Sequence, residues 1–119
     1  MIYGIIGPRD FNGKEYDNYD HIEGLLNTFT IDKIISGGSK GVEKLVEEYS
    51  DNMNIEYEVV RPNIQLHGHR SAFFIRNSEI IKASQSMIVF WDGATQGIVD
   101  VLSNTVRAGK RVNLVPMSI

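Results

Sequence analysis

The chain has 119 residues, of which 42% are hydrophobic and 23% are charged, as expected for one soluble globular domain spanning residues 1–119. It contains no cysteine, which excludes disulfides and thiolate metal sites and favours a reducing, cytoplasmic location. The net charge of −3 and the scattered basic residues disfavour nucleic acid as the main partner. The first residues, MIYGIIGPRD, lack a basic leader, and their apolar run is far shorter than the roughly 20 residues of a membrane span, so no membrane association is expected.

Short apolar runs alternate with amphipathic segments along the whole chain. Runs rich in β-branched or aromatic residues predict five strands, at residues 2–6, 31–35, 55–60, 87–91 and 112–115. Apolar residues with helical spacing predict four helices, at residues 16–29, 42–49, 72–83 and 97–108. This alternation predicts a Rossmann-like, doubly wound α/β fold, with five mainly parallel strands and helices on both faces. Strands so apolar are expected to be buried on both sides.

The loop after the second predicted strand is the first candidate site, because open parallel sheets bind ligands beyond the carboxyl ends of their strands. In IISGGSKGVEK, three glycines fall in five positions, at Gly37, Gly38 and Gly41. Glycines carry no side chain, so a ligand can approach the backbone closely. Ser39 is a suitable N-cap for the helix that follows, and the free N–H groups at the start of this helix would attract phosphate. The spacing matches neither a Walker A loop nor the GxGxxG fingerprint. The alternative is a tight glycine turn without a ligand.

The loop after the first predicted strand contains Gly7 and Arg9. Arg9 is expected to project beside the glycine loop, where a guanidinium can pair with phosphate or carboxylate. Taken alone, this loop favours the alternative, which is a surface arginine paired with Asp10.

The loop after the fourth predicted strand, WDGATQG, offers a second helix start, with Gly93, Thr95 and Gly97. Asp92 ends the strand, where its carboxylate either caps the turn or accepts hydrogen bonds from the hydroxyls of a sugar. Trp91 is expected to belong to the core rather than to stack on a base.

Two polar residues, Arg76 and Asn77, interrupt the apolar pattern of the third predicted helix, and simple periodicity allows them to face solvent. His67 and His69 could begin a metal site. The chain offers no cysteine and no spaced His/Glu set to complete it, so no metal is expected and solvated loop histidines are the preferred interpretation.

Taken in order, GPRDF, ISGGSKGVEKLVEEY, HGHRSAFFIRNSEII, MIVFWDGATQG and GKRV resemble the small stand-alone members of the SLOG superfamily, in its YspA-like branch. These are Rossmann-like proteins related to the lysine decarboxylase-like LOG phosphoribohydrolases and to the DNA-processing protein A family. The resemblance covers nearly the whole chain. It implies a nucleotide or a nucleotide-derived, ADP-ribose-like ligand with phosphate near residues 37–41 and 93–97, no further cofactor, and a homo-oligomer.

The resemblance also implies roles for individual residues. Arg76 and Asn77 match an Arg-Asn pair of the family, and Arg76 also falls where the LOG enzymes carry a catalytic arginine. Asp100 takes the place of the glutamate in their Gly-Thr-x-x-Glu stretch, and Ile98 replaces its threonine. Pro8 stands where serine is common. The candidate ligand-binding residues are therefore Gly7, Arg9, Gly37, Gly38, Ser39, Gly41, Arg76, Asn77, Asp92, Gly93, Thr95 and Gly97.

Two functions follow from the resemblance and these departures. The first is a sensor or sequestering protein for a nucleotide-derived molecule, in which phage-host signalling is conceivable. The alternative is a phosphoribohydrolase that cleaves the N-glycosidic bond of a nucleoside monophosphate, with Arg76 positioning the phosphate and Asp100 stabilising the oxocarbenium-like sugar. The shortened carboxylate weakens the enzymatic hypothesis more than the binding one. Single-stranded DNA binding is disfavoured by the acidic charge.

Overall fold

The computed structural model describes residues 1–9 and 18–117 and contains a five-stranded, all-parallel sheet. Its strands are β1 (Ile2–Ile6), β2 (Lys33–Ser36), β3 (Glu56–Val59), β4 (Ser86–Trp91) and β5 (Arg111–Pro116). They lie in the order β3-β2-β1-β4-β5. The predicted α/β fold is confirmed, and all five strands fall within a few residues of their predicted positions.

Five helices connect these strands in the described part of the chain: α1 (Tyr19–Leu26), α2 (Val42–Met53), α3 (Ile64–His67), α4 (His69–Ala83) and α5 (Gln96–Arg107). Residues 16 and 17 of the first predicted helix lie outside the described residues. The short helix α3 was not predicted; the side chain of Asn63 caps it by accepting a hydrogen bond from the Leu66 amide. Because α3 ends at His67 and α4 begins at His69, the interpretation of these histidines as loop residues is wrong.

The helices cover both faces of the sheet in pairs. Helices α1 and α2 pack through Ile22, Leu26, Val42 and Val46 on one face, where Ile5 lies in the same cluster. Helices α4 and α5 pack on the opposite face through Ile80, Ile81, Ile98 and Val101, where Ile6 lies. Neighbouring residues of a strand point to opposite faces, so Ile5 and Ile6 contribute to different cores.

Burial on both sides holds for the three inner strands only. Strands β1, β2 and β4 are buried along most of their length, whereas β3 alternates between exposed and half-buried residues and β5 has a single buried residue, Val115. The expectation of fully buried strands is wrong for β3 and β5, because each lies at an edge with only one neighbouring strand. Lys33 lies beside this exposed surface and pairs with Glu56 and Glu58 of β3.

The order of the strands places the candidate site. The sheet reverses its winding between β1 and β4, so the loops that follow these two strands diverge to opposite faces and leave a crevice at their carboxyl ends. Among the described helices, none has both the length and the apolar character needed to cross a membrane.

Candidate functional site

A cavity of about 250 Å³, here called the rim cavity, lies at the carboxyl ends of β1, β2 and β4. It brings together predicted site residues from four separate segments, namely Gly7, Arg9, Ser39, Arg76, Asn77, Thr95 and Gly97. Six lining residues were not predicted as site residues, and three of these carry an ionisable or aromatic side chain: Glu43, His69 and Phe73. The rim cavity therefore lies at the crevice where the topology of the sheet favours ligand binding.

Arg76 is the most buried cation of the rim cavity, with 5% of its surface exposed. Its Nη1 donates to the hydroxyl of Ser39 at 3.2 Å, and its Nε donates to the side-chain oxygen of Asn77 at 3.0 Å. Its guanidinium carbon lies 5.1 Å from the centre of the Phe73 ring, within the range of a cation–π contact. The alternative that Arg76 faces solvent is excluded, because this side of α4 packs on the loop that follows β2.

Glu43 occupies the inner side of the glycine loop. It lies in the first turn of α2, is 1% exposed, and its Oε1 accepts hydrogen bonds from the amides of Gly37 at 3.1 Å and Ser39 at 3.2 Å. Its Oε2 accepts from the amide of Gly7 at 3.4 Å. The chain's own carboxylate therefore occupies these three N–H groups of the loops, which are not open to phosphate. Phosphate binding at the N–H groups of the helix start itself stays a prediction. The helix N-terminus still attracts an anion, and Glu43 supplies it.

The glycines of this loop make room for the chain itself. A Cβ atom at Gly37 would lie 2.1 Å from Nη1 of Arg76, so the absent side chain is what lets the guanidinium enter. Gly41 has a φ of 85°, and a Cβ atom there would lie 2.5 Å from the carbonyl oxygen of Pro8. Gly41 is also the N-cap of α2, without a side-chain cap. The prediction that Ser39 is the N-cap is therefore wrong. Its hydroxyl accepts a hydrogen bond from Arg76 instead.

Arg9 provides a second cation at the same aromatic ring. Its guanidinium carbon lies 5.7 Å from the centre of the Phe73 ring, and its backbone lies against Gly41, beside the glycine loop as predicted. The alternative partner, Asp10, lies outside the described residues. Burial lowers the pKa of Arg76, while Glu43 raises it and the neighbouring charge of Arg9 lowers it further. The described lining thus holds two arginines and one carboxylate, an arrangement that attracts anions.

The loop after β4 is organised by Asp92. Its Oδ1 accepts hydrogen bonds from the amides of Ala94 at 2.9 Å and Thr95 at 2.7 Å, and its Oδ2 accepts from the Thr95 hydroxyl at 2.7 Å. Of the two roles the sequence allows, capping of the turn is the one observed. Trp91 is half-buried, and its indole N–H donates to the Thr95 carbonyl.

The remaining predicted residues lie outside the lining of the rim cavity. Gly38 approaches Val59 and Arg61, and Gly93 is exposed with a φ of 78°. Asp100 is exposed and lines a wider cleft of about 820 Å³ between α4 and α5. This cleft, called here the helix cleft, shares Phe73, Asn77 and Gly97 with the rim cavity. The structure therefore places Arg76 and Asp100 in adjoining spaces rather than in one.

Of the unpredicted lining residues Glu43, His69 and Phe73, only Glu43 carried a usable signal in the sequence. An acidic residue in the first turn of a helix that follows a glycine loop is favoured by the helix dipole, so Glu43 could have been predicted to bind the loop amides. In the sequence, Phe73 is indistinguishable from the other apolar residues of α4. His69 resembles any polar surface residue, and its exposed imidazole lines the cavity because α4 begins at this residue.

The fold and this cavity define a Rossmann-like α/β protein with two arginines in a cavity between β1 and β4, where the winding of the sheet reverses. Among residues 1–9 and 18–117, no group of three or more histidine and carboxylate side chains is placed to hold a metal ion. Comparison of the chain with protein-family models and with curated proteins gives no match.

Proposed function

We propose that the rim cavity binds the anionic group of a nucleotide-derived small molecule and that the protein acts as a sensor or sequestering protein for it. The observation that carries this proposal is the pair of guanidinium groups at the Phe73 ring, one of them buried. The carboxylate of Glu43 lies 4.0 Å from Nη1 of Arg76 and accepts its hydrogen bonds from backbone amides. Its single negative charge balances the two positive charges of Arg9 and Arg76 only in part.

The dimensions of the site support a ligand larger than a simple anion. Ligand pockets usually measure about 300–1,000 Å³, and the rim cavity alone lies below this range. The helix cleft adjoins it across Phe73, Asn77 and Gly97. A nucleotide fits this layout with its phosphate at the arginines and its nucleoside in the cleft, where Phe73 and Asn77 offer an aromatic face and an amide.

Cleavage of the N-glycosidic bond is the alternative for the same ligand. Asp100 lines the cleft that would hold the nucleoside, which is the observation in its favour. The carboxylate is exposed, however, and electrostatic stabilisation of an oxocarbenium-like sugar is strongest where water is excluded. The geometry therefore favours binding over catalysis.

Calorimetric titration with AMP, and with adenosine as the ligand lacking phosphate, tests the proposal. Arg9→Gln removes an exposed cation of the cavity and is expected to weaken AMP binding about tenfold to hundredfold, as for loss of a charge-assisted hydrogen bond. Arg107→Gln removes another exposed arginine, at the end of α5, and should leave the affinity for AMP unchanged. Binding of adenosine and AMP with equal affinity would contradict the proposal. Free adenine that disappears in Asp100→Asn would establish the hydrolase instead.

Self-association and a cytoplasmic location remain proposals as well. Leu66 and Phe74 are 71% and 51% exposed, and the helix cleft beside them carries both Arg70 and Asp100. Opposite charges around an apolar patch can pair across a two-fold axis between two copies. Light scattering after size exclusion should show a dimer that Phe74→Ser disrupts. Val106→Ser, which changes an apolar residue of α5 that is 69% exposed, should not disrupt it.

A further inference from the structure

The glycine loop already holds a carboxylate that belongs to the chain itself. Three amides from two loops, those of Gly7, Gly37 and Ser39, converge on the carboxylate of Glu43. Backbone N–H groups that point into one concave site bind anions such as phosphate in other proteins. A ligand could use it only by displacing a buried carboxylate and leaving that charge without hydrogen bonds, which is strongly unfavourable.

The anionic group of a ligand must then bind on the other side of Glu43, at Arg9 and Arg76. Both guanidinium groups approach the same ring of Phe73, so they can serve one shared group rather than two separate ones. One phosphoryl group carries a charge of about −1.5 to −2 near neutral pH. Together with Glu43, it more than balances the two arginines, and the described lining of the rim cavity holds no third arginine or lysine to balance a further phosphoryl group beside the carboxylate.

We infer that Glu43 is a specificity-determining residue that restricts the rim cavity to ligands with one phosphoryl group and disfavours diphosphates. The inference rests on the proposed function of the rim cavity. It goes beyond that proposal, because it excludes the ADP-ribose-like part of the ligand class that the sequence resemblance implies.

Titration of the whole chain with AMP, ADP and ADP-ribose tests the inference without a variant. AMP is expected to bind at least about tenfold more tightly than either diphosphate, a ratio that corresponds to about 1.4 kcal/mol. ADP or ADP-ribose binding as tightly as AMP would overturn the role of Glu43 and leave nucleotide binding intact. Absence of binding by all three would overturn the proposed function itself.

Two variants of α2 assign the preference to its cause. Glu43→Gln removes the buried charge and is expected to bring the AMP-to-ADP affinity ratio to within about threefold, because the like charge that opposes the second phosphoryl group is gone. Glu47→Gln removes a carboxylate from the next turn of the same helix, where it pairs with Lys44, and should leave the ratio unchanged. An unaltered ratio in folded Glu43→Gln would overturn the inference. If circular dichroism shows that this variant is unfolded, the ratios of the unsubstituted chain decide.

Discussion

Substitution of Gly37 by alanine tests the architecture of the site without reference to any ligand. The added methyl group would lie 2.1 Å from Nη1 and 2.7 Å from Cζ of Arg76, and 2.8 Å from Oε1 of Glu43. These separations are well below van der Waals contact. The guanidinium must therefore move away, and its hydrogen bond to Ser39 is lost or lengthened.

The expected destabilisation combines two effects of known size. Overpacking of a well-packed interior costs about 1–3 kcal/mol, and loss of a hydrogen bond from a charged group costs about 1.5–3 kcal/mol. Because the clashing atoms are the ends of two long side chains, which can shift, we expect a loss of about 1–3 kcal/mol in the free energy of unfolding. For a domain of this size, that loss lowers the Tm by roughly 3–12 °C.

Urea unfolding followed by circular dichroism measures this loss, with Gly24→Ala as the matched control. Gly24 lies in α1, and a Cβ atom there meets nothing within 4 Å, so alanine should increase stability by about 0.5–1 kcal/mol through its better helix propensity. If Gly37→Ala unfolds within about 0.5 kcal/mol of the unsubstituted chain, Arg76 is not held against the glycine loop and the description of the site is wrong.

Three further outcomes follow from groups outside the rim cavity. Burial raises the pKa of Tyr57 to about 12; the side chain of Ser36 lowers this pKa and the charge of Glu43 raises it, both by less than burial does. Near pH 10 the unfolded chain therefore releases the phenolic proton, whereas the folded chain retains it. Stability should therefore fall between about pH 10 and 12, and thermal melts across this range should show a shallower fall for Tyr57→Phe. The ammonium of Lys110 donates to three carbonyl groups at the end of α4, so Lys110→Met should cost about 1–3 kcal/mol in urea unfolding, whereas Lys82→Met should cost little. Asp92→Ala removes three hydrogen bonds from the loop before α5 and should lower stability by about 1–2 kcal/mol and the hydrogen-exchange protection of the Thr95 amide.

The fold could be predicted because its signals are local and repeated. Each inner strand has consecutive apolar residues, and helices α2 and α5 carry an apolar stripe, so the alternation of these segments leads to a parallel α/β sheet. Helix α3 was not predicted because it has only four residues, none of them buried, and these form no apolar stripe. Its only local signal is the cap by Asn63, which a loop would display equally well.

The candidate site could be located but not described from the sequence. The rim follows from topology, and Arg9 and Gly7 follow from their position after β1. The contact between Gly37 and Arg76 joins residues 39 positions apart, and only the packing of α4 on the β2 loop brings them together. Periodicity cannot distinguish a solvated arginine from one that is buried and satisfied by partners elsewhere in the chain.

The division of labour between Glu43 and Arg76 determines which variants report on binding. Three backbone amides donate hydrogen bonds to the carboxylate of Glu43. The guanidinium of Arg76 lies 4.0 Å from this carboxylate and donates no hydrogen bond to it, so its positive charge can still interact with a ligand. Removal of Arg76 would still leave a buried carboxylate without its counter-charge, which typically costs about 3–5 kcal/mol, so lost binding in that variant could reflect lost structure. Arg9 is exposed and has no such structural duty among the described contacts. A loss of affinity in Arg9→Gln at unchanged stability is therefore the observation that separates a ligand site from a charged element of the core.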